Sequence, residues 1–340
     1  MATSARTLEW MKIAHVRERN GPAGTSWQLA AALDADGERW LDLEEARRAL
    51  VAARPSRAHN SSLFRQPITT LDAHLASGLR VDALADLLAA DAEEPMDASA
   101  LDFGPPILRP PSFRDFYAFE QHVGTMWKRR DMEIPEAWYR LAIFYFSNVS
   151  EIRGPGDPVH APRGSVELDY ELEVAALIDT PVSNLEASRG EEAIGGYLVL
   201  NDWSARDLQR EESTVRLGPA KGKDFASSIG PWLVTPDELA DARRDKGYDL
   251  AMTATVNGTE LSRGNWSSAH FSFGEMVERA SADVRLRPGD ILGSGTVGTG
   301  CLLEVRDEIL KRYLEPGDTV TLAIDRLGAL TAPVVERPSR

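Results

Sequence analysis

The segment Ser165-Val-Glu-Leu-Asp-Tyr-Glu-Leu-Glu-Val174 sets acids at 167, 169, 171 and 173 against apolar side chains at 166, 168, 170, 172 and 174. As a β-strand it would turn all four carboxylates to one face and Val, Leu and Tyr to the other, because side chains alternate along a strand. Two like charges ~4 Å apart repel by roughly 4 kcal/mol at an effective dielectric near 20. A cation removes that repulsion and water on a solvated face reduces it; the segment alone is compatible with either. Glu171 and Glu173 with Asp202, which follows the apolar run Gly195–Leu200, would make an all-oxygen site suited to Mg²⁺, Mn²⁺ or Ca²⁺ rather than zinc or copper. Asp202 could equally cap a helix beginning near Ser204.

Ser112-Phe-Arg-Asp115 reads as a capping-box-like start of a helix running to about Arg130. On that helix Asp115 and His122 are seven residues apart, so two turns return them to one face within ~20°. A histidine there can serve as a base near neutral pH, or simply as a surface or core residue. Arg206 and Gln209 share a helix face at i and i+3, and Lys223 lies in Gly222-Lys-Asp-Phe225. Beside a cation this set would bind a carboxylate or stabilise an oxyanion; taken singly, each reads as a solvated surface group. The run Gly293-Ser-Gly-Thr-Val-Gly-Thr-Gly300 lacks the Gly-Lys-Ser/Thr ending of a P-loop. It fits close backbone approach to a ligand, with Thr296 as hydroxyl donor, or a simple loop.

These groups need a framework, and 340 residues are enough for a large core and for two domains. With 43% hydrophobic and 27% charged residues, the composition is globular. A net charge of −15 argues against nucleic-acid binding through phosphates, though not against a local basic pocket for a small anion. The single cysteine, Cys301, rules out an intramolecular disulfide and a thiolate zinc site. No apolar run approaches the ~20 residues of a membrane span and no signal-peptide core is evident, so the expectation is a soluble, cytoplasmic protein without a membrane partner.

Residues 1–105 read as a small β-rich domain, with strands at Lys12–Val16, Ser26–Ala30 and Glu38–Leu41 and helices at Leu43–Ala53 and Val81–Ala90. The acidic, Pro-rich stretch Asp91–Pro111 reads as a linker or domain edge, and 106–340 as the catalytic domain. Further elements are a strand Gly195–Leu200, a helix Ser204–Glu212 and a hairpin turning at Asn257-Gly258. A helix Phe273–Ala282, a turn and strand over Leu286–Leu292, and a strand Thr319–Ile324 complete the reading. Strands and helices alternate without a regular βαβ rhythm, which favours a β-rich α+β fold over a Rossmann fold or TIM barrel.

Taken together, Asp169-Tyr-Glu-Leu-Glu-Val-Ala175, Asn201-Asp-Trp-Ser-Ala-Arg-Asp-Leu-Gln209, Gly222-Lys-Asp-Phe225 and Leu286-Arg-Pro-Gly-Asp-Ile-Leu-Gly-Ser-Gly-Thr296 resemble the fumarylacetoacetate hydrolase family, and its fumarylacetoacetase-like branch in particular. The resemblance covers roughly residues 104–305. It implies a β-sandwich-roll catalytic domain preceded by a small SH3-like barrel, a homodimer, and a small anionic keto-acid substrate. It also implies a divalent cation, Mg²⁺ with Ca²⁺ and Mn²⁺ as alternatives, held by Asp115, Glu171, Glu173 and Asp202. His122 matches the family's catalytic histidine and Glu304 the acid that orients it. Arg206, Gln209, Lys223 and Thr296 match substrate and transition-state contacts, as do Lys128 and Tyr145. Between Glu151 and Asp169 the chain is shorter than the fumarylacetoacetase type, and Ile143-Phe-Tyr145 replaces a glycine-containing segment. The activity implied is hydrolysis of a C–C bond in a β-diketo acid. Isomerisation, decarboxylation or dehydration of a 2-oxo acid would use the same bound enolate, and a non-catalytic metabolite-binding dimer is a further alternative.

Overall fold

The computed structural model describes residues 11–22, 25–56, 61–89, 95–305 and 309–338. Its largest element is a twelve-stranded sheet. The centre of that sheet is Ser227–Val234, Ile194–Asn201, Leu172–Ile178, Ile291–Gly293 and Phe113–Phe116, in that order. Packing on both faces explains why the central strands are mostly apolar, with Arg114, Asp115, Glu173 and Asn201 as exceptions toward one end. Val174, Ala176 and Ile178 pack with Met252, Ala254 and Leu322 on one side, while Ala175 and Leu177 pack with Leu43, Leu71 and Val81 on the other. A strand covered on both faces has no polar side to show.

The first of those covers is a four-stranded sheet ordered Thr259–Asn265, Ala251–Val256, Thr319–Ile324, Gly328–Pro333. Its hairpin turns where expected, with Asn257 at φ 52° and Gly258 at φ 79°, the left-handed pair that a type I′ turn requires. The last strand, Gly328–Pro333, was not expected from the sequence. An aromatic group joins the layers: Trp266 stands 4.9 Å from Tyr197 and 4.6 Å from Tyr248 between ring centroids. The other cover carries the helix Leu43–Ala53, capped by Asp42 through the amides of Glu44 and Glu45.

Lys12–Glu18, Gln28–Ala32 and Arg39–Asp42 form as strands, close to their expected bounds. They extend the large sheet, with Ile13 opposite Leu233. The fold is thus mixed and strand-rich, and the apolar core of residues 11–89 is continuous with that of the central strands.

Three expectations need correction. The helix over 112–130 is replaced by a strand, Phe113–Phe116, and a shorter helix, Glu120–Lys128. The strand forms because it pairs in parallel with Ile291–Gly293 and antiparallel with Phe144–Phe146, partners that lie outside any local window. Asp115 and His122 therefore do not share a helix face. The presumed linker contains a strand, Leu101–Gly104, paired with Lys12–Glu18 and anchored by Phe103 against Trp40; its residues 91–94 lie outside the described residues. Val81–Leu87 is a 3₁₀ rather than an α-helix. No helix among the described residues is long and apolar enough to cross a membrane.

Candidate active site

Three central strands deliver three acids to one point. Asp115 comes from Phe113–Phe116, Glu173 from Leu172–Ile178, and Asp202 from the residue after Ile194–Asn201. All three are buried, and each offers a carboxylate oxygen within 4.8 Å of the others. Oδ1 of Asp115 and Oδ1 of Asp202 have no hydrogen-bond partner. Burial, then the charge of Asp202, pushes the Asp115 carboxyl well above the usual range. Burial, then Asp115, does the same to Glu173. Buried, mutually repelling carboxylates with orphaned oxygens and no softer donor among them fit a hard divalent cation. Asp202 caps no helix: the following helix, Arg206–Glu212, begins after Ala205, and the Asp202 carboxylate meets Tyr145 and Lys223 instead.

Close packing at the centre depends on Gly293, which lies opposite Asp115 in the parallel register. A Cβ at 293 would overlap Oδ1 of Asp115. The glycine-rich run continues the construction: the Gly295 amide donates to Glu173 Oε2 at 3.0 Å and the Thr296 hydroxyl to Oε1 at 3.3 Å. Tyr145 donates to Asp202 and lies 3.3 Å from Asp115 Oδ2.

Glu171 is held differently. Lys223 Nζ bonds both Glu171 Oε2 and Asp202 Oδ2, and Arg206 Nη2 stands 2.8 Å from Glu171 Oε1. Burial alone would raise the Glu171 carboxyl, but Lys223 and then Arg206 outweigh it and bring it down to about 2. The single strand expected over 165–174 is broken: Leu168–Asp169 pairs with Ser204–Ala205 in a separate two-stranded sheet, Leu172–Ile178 belongs to the large sheet, and Val166 is exposed. Leu168, Tyr170, Leu172 and Val174 still share one core, and the four carboxylates divide. Glu167 pairs with Arg210 near solvent, Asp169 and Glu171 take cationic partners inside, and Glu173 reaches the acid cluster.

His122, on the helix Glu120–Lys128, is buried with Nδ1 2.8 Å from Glu304 Oε2. With Nδ1–H donated to a carboxylate, the lone pair of the neutral ring is on Nε2. The edge of Tyr117 meets the imidazole at 5.5 Å and 84°. A cavity of about 680 Å³ is lined by Asp115, His122, Tyr145, Glu173, Arg206 and Lys223, with Glu171, Gln209 and Thr296 also on its wall.

Of the residues expected at the site, Lys128 alone stands away from this group. It is exposed and absent from the cavity wall, because the helix ends there and turns Arg129 and Arg130 to the cavity instead. Tyr117 and the two arginines were not foreseen. Tyr117 follows Asp115 by two residues, so a strand reading of the segment would have placed both on one side.

An acid cluster suited to a hard cation and a carboxylate-oriented histidine thus stand together at one cavity of a strand-rich fold. The model of the fumarylacetoacetate (FAA) hydrolase C-terminal domain matches residues 112–335, and the chain belongs to that family. It is 32% identical over 197 residues to 2,4-didehydro-3-deoxy-L-rhamnonate hydrolase of Sphingomonas sp. (strain SKA58), covering 57% of this chain and 65% of that protein. It is 28% identical over 271 residues to fumarylacetoacetase of Arabidopsis thaliana, covering 62% and 64% respectively. The chain thus spans somewhat under two thirds of these relatives. Among solved structures, fumarylacetoacetate hydrolase from Exiguobacterium antarcticum matches with a TM-score of 0.68 at 22% identity, covering 96% of this chain and all of that one. The 2-hydroxyhepta-2,4-diene-1,7-dioate isomerase of Mycobacterium marinum matches with a TM-score of 0.62 at 21% identity, covering 97% of this chain and 100% of that one. At those identities the likeness concerns the fold.

Proposed function

We propose that the protein is a divalent-cation-dependent hydrolase that cleaves a C–C bond in a β-diketo acid of fumarylacetoacetate or acylpyruvate type. The observation that carries this reading is that His122, paired with Glu304 at 2.8 Å, lines the same cavity as Asp115 and Glu173, which cluster with Asp202. Enolate chemistry alone needs no activated water, whereas hydrolysis does. Of the two relatives above, one is named as a hydrolase and the other as a fumarylacetoacetase.

Asp115, Glu173 and Asp202, with Glu171 beside them, would hold the cation; Mg²⁺ is the first choice, with Ca²⁺ and Mn²⁺ as alternatives. When bound it supplies Lewis-acid polarisation of the substrate's 1,3-dioxygen unit. His122 takes a proton from water at Nε2 while Glu304 stabilises the imidazolium that forms. The resulting hydroxide adds to the ketone carbonyl. The bond to the central carbon breaks, its electron pair leaving as an enolate that is then protonated, so diketo acid plus water gives a carboxylic acid and an oxo acid, 2-oxo from the acylpyruvate type and 3-oxo from the fumarylacetoacetate type. Lys223 and Arg206 offset the negative charge that develops, and Gln209 orients the substrate beside Arg206. Tyr145 and Thr296 shape the wall on which the substrate lies.

The same reading extends to a homodimer of chains whose residues 1–105 form a small SH3-like unit before a β-sandwich roll, acting in the cytoplasm on a small anion. The test is a panel of β-diketo acids assayed with Mg²⁺, Mn²⁺ or chelator. Cation-dependent release of two fragments is expected. Release of CO₂ or an isomer would replace hydrolysis by the enolate alternative, and no turnover across the panel would point to a binding protein.

A further inference from the structure

We propose that Asp169 is a positioning residue that fixes the Arg206 guanidinium and the Glu304–His122 pair relative to one another. The inference rests on the reading of His122 as the base. The Asp169 carboxylate has no solvent exposure and accepts three hydrogen bonds. Oδ2 takes Arg206 Nε at 2.7 Å and the Leu303 amide at 3.0 Å, and Oδ1 takes the Leu302 amide at 2.7 Å. Leu302 and Leu303 immediately precede Glu304, whose Oε2 meets His122 Nδ1. Arg206 carries the connection the other way, donating Nη1 to Gln209 at 3.0 Å and facing Glu171 with Nη2. One carboxylate therefore ties the segment that orients the base to the segment that meets the substrate.

Asp169 itself does not line the cavity and is not among the clustered cation ligands. An ion pair with Arg206 alone would account for one of its three bonds. The two amides from the Glu304 segment are what give it a second client. An asparagine in its place has one acceptor oxygen, and its NH₂ group would face at least one of the three donors. Either a Leu302–Leu303 amide or Arg206 Nε then loses its acceptor.

The experiment compares wild type with Asp169→Asn and Arg206→Lys in four respects. These are Mg²⁺ affinity by calorimetry, kcat and KM for a diketo acid, the pH profile of kcat/KM, and the His122 Nδ1–H signal in ¹⁵N-histidine NMR. For Asp169→Asn, Mg²⁺ affinity should stay within about twofold, while kcat falls about 10–100-fold. KM should rise about tenfold through Arg206, the His122 limb of the pH profile should move, and the His122 signal should shift. Activity lost only in proportion to unfolded protein, with an unmoved pH profile and an unchanged His122 signal, overturns the proposal. If Asp169→Asn does not fold, Arg206→Lys decides: a shifted His122 signal supports the link and an unshifted one overturns it. The NMR comparison needs no substrate, so absence of wild-type turnover would sink the proposed hydrolysis without touching this test.

Discussion

Glu173 is fully buried and Glu44 half-buried, and their surroundings treat the two carboxyls in opposite ways. Around Glu44, Arg47 donates at 2.7 and 2.8 Å, Arg48 at 2.8 Å, and the Ile68 amide at 2.8 Å. Burial would raise its carboxyl, but Arg47, Ile68 and Arg48 prevail and bring it to about 2. Around Glu173 the neighbours are Asp115 and Asp202, and the carboxyl is pushed up. The chain has the means to neutralise a carboxylate with its own groups, and beside the cavity it gives a lysine to Asp202 and Glu171 while Asp115 and Glu173 have no ion pair. The difference marks where an external charge belongs.

Removing one of the repelling acids tests this most severely. Glu173→Gln should lower turnover by about 10³-fold or more, since several kcal/mol of charge stabilisation leave with the cation. It should also abolish saturable Mg²⁺ binding in calorimetry and raise the melting temperature measured in chelator, because the repulsion is relieved. A lower melting temperature in chelator would mean that the three acids are already compensated. His122→Ala should lower turnover about 10²-fold and leave Mg²⁺ affinity within error, separating the base from the cation centre. Gly293→Ala should weaken Mg²⁺ binding about tenfold by displacing Asp115, at a cost of about 1–3 kcal/mol in stability from overpacking, read by denaturant titration.

The smallest effect lies on the other side of the comparison. The Glu44 carboxyl is lowered in the folded chain, so its contribution is present above its ordinary value of 4.5 and fades as the pH falls toward about 2. Glu44→Gln should therefore melt a few degrees below wild type at pH 7, with the gap closing between about pH 4.5 and pH 2. A gap that widens in acid would contradict the assignment.

The acids were readable in the sequence because a period of two outlasts the break in the strand: Leu168, Tyr170 and Leu172 join one core, while Asp169, Glu171 and Glu173 meet polar partners. The hairpin at Asn257-Gly258 was readable because two residues dictate it. Asp115 was placed in the site but on the wrong element. A helix-start signature at Ser112 is local, whereas the strand that forms there is decided by Ile291–Gly293, some 180 residues away. Lys128 and the arginines beside it differ only in where a helix stops, and helix ends are the least constrained part of a local pattern. The division of labour between Glu171 and Glu173 was not readable at all. Two residues of one type at adjacent positions of one face acquire different roles only from what Lys223 and Arg206 do in space.

Asp115, Glu173 and Asp202 hang from strands, or a strand end, in the middle of a sheet that is packed on both sides. Their mutual spacing is therefore the stiffest dimension of the chamber. The rest of the cavity wall includes Met126 and Trp127 on a nine-residue helix and Gly218 and Pro219, none of which belongs to that sheet. The acids thus hang on the best-buttressed part of the molecule, and a change in the shape of the chamber can come from that helix and loop without moving them.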